Sequence, residues 1–140
     1  MYAPSRNEAR EFLFTAWEKY RASAPLSELE RIAVEIIALH PEYHALLEVS
    51  DRNLDADFAP DTGQLNPFLH LQLHLAIAEQ IAVDRPLGVR AEIERLAKKH
   101  GEMHDALHDA LECLGEAIWH AQRTGTQPDT ESYLDCLRRK

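Results

Sequence analysis

Cysteine is scarce in this chain. The two cysteines among 140 residues, Cys113 and Cys136, sit in segments that read as helical and show no CxxC spacing. That argues against a disulfide framework and against a thiolate zinc site, and the reading is a pair of reduced thiols. Long apolar runs are lacking too. No window approaches the roughly 18 uninterrupted apolar residues of a membrane span, and the opening "MYAPSRNEAREF" carries no apolar run of signal-peptide length. The expectation is a cytoplasmic protein. Positive charge is the third shortage: 15 basic residues face 24 acidic ones, a formal charge of −9. Phosphate backbones and anionic membrane surfaces repel such a chain. Its basic clusters are Arg95/Lys98/Lys99 and Arg138-Arg139-Lys140, so neither nucleic acid nor membrane is expected as a partner.

What is present follows a helical period throughout, with the five glycines and seven prolines falling almost entirely between the apolar-periodic stretches. At 45% hydrophobic and 28% charged, the chain can build one core of ordinary size. Residues 1–140 therefore read as a single all-α domain, a helical bundle with a four-helix core and an additional short C-terminal helix. The first helix spans about Arg6 to Arg21, with Phe12, Leu13, Ala16, Trp17 and Tyr20 along one face. The second opens on a capping box, Ser27 with Glu30, and turns Leu29, Ile32, Ala33, Ile36 and Leu39 inward. Pro41 disfavours a helical His40 and restarts the chain. Ser50 to Pro67 has the composition of a loop. Asn66 caps a third helix, Pro67 fills its first turn, and it ends near Asp84. A fourth covers about Val89 to Lys99, and a fifth about Glu102 to Gln122. A tail helix from Asp129 to Arg138 can pack or dimerise through Tyr133, Leu134 and Leu137. Trp17 and Trp119 read as core, and Gly115 as a point where a neighbouring helix approaches.

The histidines break the apolar pattern. In "NPFLHLQLHLAIAEQ" a helical wheel places His70 about 40° from His74, and both inside the apolar arc. In "HDALHD" His104 and His108 fall about 20° and 60° from Leu111, again inside that arc. His44 stands one turn before Glu48, with His40 at the Pro41 join. An unsatisfied buried polar group costs about 1–3 kcal/mol. Several inward imidazoles therefore suggest a shared ion, since neutral imidazole is a common metal ligand and i, i+4 pairs aim at one point. Nitrogen with carboxylate donors suits iron, manganese or zinc. The candidate ligands are His44, Glu48, His70, His74, His104, His108 and Asp109. His100 and His120 read as surface or cap residues, and Glu112 and Glu116 as a solvated face.

The spacings His44-x3-Glu48, His70-x3-His74 and His104-x4-Asp109 resemble, in chain order, the pattern of hemerythrin-like four-helix bundles over roughly Tyr43 to Asp109. That resemblance implies a diiron centre bridged by Glu48 and Asp109, with oxygen-related chemistry or sensing. The first helix lacks the histidine of that family, and His40 or His100 would replace it. The stretch "NPFLHLQLHLAIAEQIAVDRP" is also similar to that of a family of small uncharacterised bacterial proteins, a domain of unknown function, and this implies no activity. A single zinc would instead hold the bundle together. The competing class is a non-enzymatic helical homodimer, an interaction module whose histidines pair with carbonyls and carboxylates or form a pH-sensitive interface. Weaker signals are an incomplete calcium-loop pattern from Asp51 to Thr62 and a phosphohydrolase-like set of His74, His104, Asp105 and Asp129. The Arg95-x4-His100 pair found in some helical ribonucleases is another.

Overall fold

The computed structural model, which describes residues 6–48 and 66–140, keeps the predicted helices, and those that open at Ser27, Asn66 and Asp129 start on a side-chain cap. The elements are α1 (Arg6–Arg21), α2 (Glu28–Ala38), a 3-10 turn (Pro41–Tyr43), α3 (His44–Leu47), α4 (Pro67–Val83), α5 (Val89–His100), α6 (Met103–Thr124) and α7 (Thr130–Arg139). The chain is all-α, and no strand occurs among the described residues. Residues 50–65 of the expected loop, with the calcium-like pattern, lie outside them, while Pro67 at its end already belongs to α4. The chain divides into two compact units, Met1–Leu75 and Ala76–Lys140, so α4 contributes its first half to one and its second half to the other.

In the first unit α1 packs on α2. Leu13, Phe14, Ala16 and Trp17 meet Ala33, Val34, Ile36 and Ile37, with Leu47, Phe68 and Leu71 completing the core. Burying each large apolar side chain here contributes about 1.5–3 kcal/mol. The buried Arg10 lays its guanidinium 4.5 Å from the Phe68 ring centre, and the Phe14 and Phe68 rings stand 5.8 Å apart. The capping box forms as expected: the Glu30 amide donates to Ser27 Oγ at 3.2 Å, and the Ser27 amide to Glu30 Oε1 at 2.9 Å. Glu30 also takes Lys19 Nζ at 2.9 Å, tying α2 to α1. These bonds let a carboxylate be buried, and they turn the inward stripe of α2 by about 90° from the predicted one, toward Val34 and Ile37. Leu39 is left 55% exposed, and Leu29 and Tyr20 are exposed as well, so these three are not the core residues their spacing suggested.

In the second unit α6 packs on α5 and on α7, and Val89, Ile93 and Leu96 of α5 are buried together with Ala106, Ala110, Leu111, Cys113, Leu114, Ala117 and Ala121 of α6. Gly115 is not the point of close helix approach that the sequence suggested, since a Cβ added there would meet nothing within 4 Å. Gly101 and Gly125 end α5 and α6 at φ +78° and +66°, where glycine alone is unstrained. Between α4 and α5, Asp84 Oδ1 accepts from the Gly88 and Arg90 amides at 3.2 and 3.0 Å. The Arg90 side chain closes α4 by donating to the Ile81 and Ala82 carbonyls.

Helix α7 buries Tyr133, Leu134 and Leu137. The Tyr133 hydroxyl donates to Gln80 Oε1 at 2.7 Å and Arg95 Nη2 to the Leu137 carbonyl at 2.9 Å. Cys113 and Cys136 are joined in a disulfide, which corrects the expectation of two reduced thiols. The packing of α7 on α6 brings their Cα atoms to 5.7 Å, an approach that a sequence separation of 23 does not reveal. Trp119, expected in the core, is 51% exposed with the Arg123 guanidinium over its ring. Glu112, Glu116, His100 and His120 are exposed as expected. No helix among the described residues is long and apolar enough to cross a membrane.

Candidate metal centre

The centre is built by a helix end and a helix start within the first unit. Pro41 keeps His40 out of the helical region, at φ −127° and ψ 67°, so the chain leaves α2 there. The Asn66 side chain starts α4 by accepting from the Phe68 and Leu69 amides at 2.9 and 3.3 Å. The next turns then present His70 and His74, four apart, on one face. The rings of His40, His70 and His74 lie with centres 4.7–4.9 Å apart in all three pairs. One imidazole nitrogen from each is within 4.8 Å of those of the others. His40 and His74 are each 2% exposed, and His70 is half-buried.

The tautomer of His40 is set by the backbone. Its Nδ1 stands 2.8 Å from the Ile36 carbonyl, which can only accept, so Nδ1 carries a proton and in the neutral ring the lone pair is on Nε2. That Nε2 faces His70 Nε2 at 3.0 Å. Two imidazole nitrogens bound to one ion at about 2.0–2.1 Å would lie about 2.9 Å apart at right angles and about 3.3 Å apart in a tetrahedron. The observed spacing suits a shared ion, and it equally suits a proton donated from His70. Tyr43 forms one wall, stacked 5.6 Å from His40 and edge-on 5.8 Å from His70. Burial first, and then the Glu42 carboxylate, push its phenol above the usual range, so it stays protonated at neutral pH.

Three other predicted ligands, His44, Glu48 and Asp109, bond to other partners. His44 Nε2 donates to the Ile37 carbonyl at 2.9 Å, and its ring lies 4.6 Å from that of Trp17. Glu48 accepts from Trp17 Nε1 at 3.2 Å and lies 3.7 Å from Arg21 Nε. In the second unit His104 and His108 have ring centres 4.2 Å apart, the first half-buried and the second exposed. Asp109 Oδ2 pairs with His100 Nε2 at 2.6 Å. Asp129 caps α7, and the Ser132 hydroxyl first and then the Glu131 amide hold its carboxyl below the usual range, while Asp105 is exposed. Arg95 is taken by Glu92 and the Leu137 carbonyl. His70 and His74 are thus the predicted ligands that the first unit brings together. His40, weighed only as a replacement ligand, joins them. The sequence signal for it was a histidine placed directly before the proline that ends a buried helix.

A family model described as domain of unknown function, DUF1841, matches residues 5–139. No curated protein and no solved structure matches the chain.

Proposed function

We propose, for a chain that belongs to the DUF1841 family of unknown function, that its activity is built on a transition-metal site whose protein ligands include His40, His70 and His74. The observation that carries this is the buried His40, whose Nδ1 is held by the Ile36 carbonyl while its Nε2 lone pair meets a second histidine at 3.0 Å. A backbone carbonyl on one ring nitrogen, fixing the other as donor, is the usual outer support of a metal-bound histidine.

Three neutral nitrogens suit a single zinc or ferrous ion. Glu48 is occupied by Trp17 and Arg21, so this reading differs from the carboxylate-bridged pair that the hemerythrin-like pattern implies. With iron, the centre would support the oxygen-related chemistry or sensing suggested by that pattern. With zinc, it would act as a Lewis acid or as a structural tie.

The test is metal content by elemental analysis after stripping and reloading the whole protein with zinc or ferrous iron. One ion per chain, weakened at least about tenfold in His40→Ala and in His74→Ala, is the expected result. Equal metal retention in both variants, with only a changed melting temperature, would show histidines that serve packing alone. Two irons per chain with an oxo-bridge absorption band would restore the dinuclear reading.

A further inference from the structure

Independently of His40, His70 and His74, the second unit holds a polar cleft beside its disulfide. Cys113 on α6 and Cys136 on α7 are the chain's two cysteines and are bonded to each other. The sulfurs are not equivalent, because Cys113 is 1% exposed and Cys136 is half-buried. Both line a cleft of about 190 Å³ walled also by Glu116, His120 and Arg139. Arg139 is steadied by the Asp135 carbonyl at 3.3 Å, and His120 lies 3.9 Å from Glu116, so the carboxylate has a neighbouring imidazole. A volume this small is below the roughly 300 Å³ at which pockets for larger ligands begin. It admits the arm of a small molecule.

Helix α7 has other attachments. Tyr133, Leu134 and Leu137 are buried, Tyr133 bonds Gln80, Arg95 bonds the Leu137 carbonyl, and Lys140 pairs with Glu112 at 2.9 Å. Opening the S–S bond therefore leaves the helix seated. Exposed disulfides exchange with thiols, whereas those sealed in apolar surroundings are inert.

We infer that the Cys113–Cys136 bond is a thiol–disulfide exchange site for low-molecular-weight thiols, with Cys136 the sulfur attacked from the cleft. The thiolate of the small thiol bonds to Cys136 Sγ. The Cys136–Cys113 bond breaks, and its electron pair leaves on Cys113, which takes up a proton. A second small thiol attacks the mixed disulfide at the small molecule's own sulfur and leaves as a small-molecule disulfide, and Cys136 becomes a thiol. Two small thiols are oxidised and one protein disulfide is reduced. Arg139 favours an attacker that carries carboxylates.

The experiment treats the whole protein, purified without reductant, with glutathione, quenches with acid and then maleimide, and maps the cysteines by mass spectrometry while circular dichroism follows the fold. Glutathione on Cys136, maleimide on Cys113 and unchanged helicity are expected. Three results would overturn the inference: a bond that opens only after denaturant is added, glutathione found on Cys113, or maleimide on both cysteines before any thiol is added. Arg139→Glu should slow exchange with glutathione at least about threefold relative to neutral 2-mercaptoethanol. An unchanged ratio would remove the attacking thiol from this cleft.

Discussion

Single residues in this protein are decided by their hydrogen-bond partners more than by their place on a wheel. Glu30 is the plainest case, a buried carboxylate lying off the face that periodicity turns inward. The Ser27 amide first, and then Lys19, hold its carboxyl below the ordinary value of 4.5. A carboxyl whose pKa is lower folded than unfolded contributes stability that is complete above the unfolded value and is lost as pH falls through the folded one. Melting temperature should therefore drop between about pH 5 and pH 3, and Glu30→Gln should flatten that drop while lowering stability at neutral pH. A slope unchanged by the substitution would assign the acid sensitivity to other carboxylates. Ser27→Ala removes the other half of the box and should cost about 1 kcal/mol in a denaturant titration. Trp119 is the converse, a large aromatic expected in the core that the fold leaves exposed beside Arg123. Trp119→Ala should change stability by less than about 1 kcal/mol, where a core tryptophan would cost about 3–5.

At the scale of elements, starts and stops were legible because their causes are local. Asn66, Ser27 and Asp129 cap helices through bonds spanning two or three residues, and Gly101 and Gly125 end them. The His70/His74 pair was legible for the same reason, being four residues apart on one helix. What the faces meet was not legible. Glu48 stands four residues from His44 and reads as a fellow ligand, yet it bonds Trp17, 31 positions away in sequence. His40 reads as a join, yet it is buried against a helix that begins more than twenty residues later. The seating of α7 is likewise nonlocal, and Tyr133→Phe tests it. Losing the bond to Gln80 should cost about 0.5–1.5 kcal/mol, measured by urea unfolding, with the helix retained. The tyrosine hydroxyl is held protonated by burial, far above the usual range, so this cost should not vary with pH between about 5 and 8.

For the molecule as a whole, metal loading links the site to stability. A ligand that binds only the folded chain adds about 2.7 kcal/mol at a hundredfold excess over its dissociation constant. Zinc or ferrous iron should therefore raise the melting temperature of the native protein, and the rise should vanish in His74→Ala. An equal rise in both would place the ion elsewhere. Composition and periodicity by themselves determined an all-α chain, its helix boundaries and the absence of an apolar span among the described helices. These follow from caps, breakers and a 3.6-residue repeat, all encoded within one turn of chain. Only the tertiary structure decided that Glu30 is buried and Leu39 is not, that His40 meets His70, and that two cysteines 23 residues apart are bonded. Those outcomes depend on which helix faces pack together, and packing balances burial against hydrogen bonding over residues that no local pattern connects.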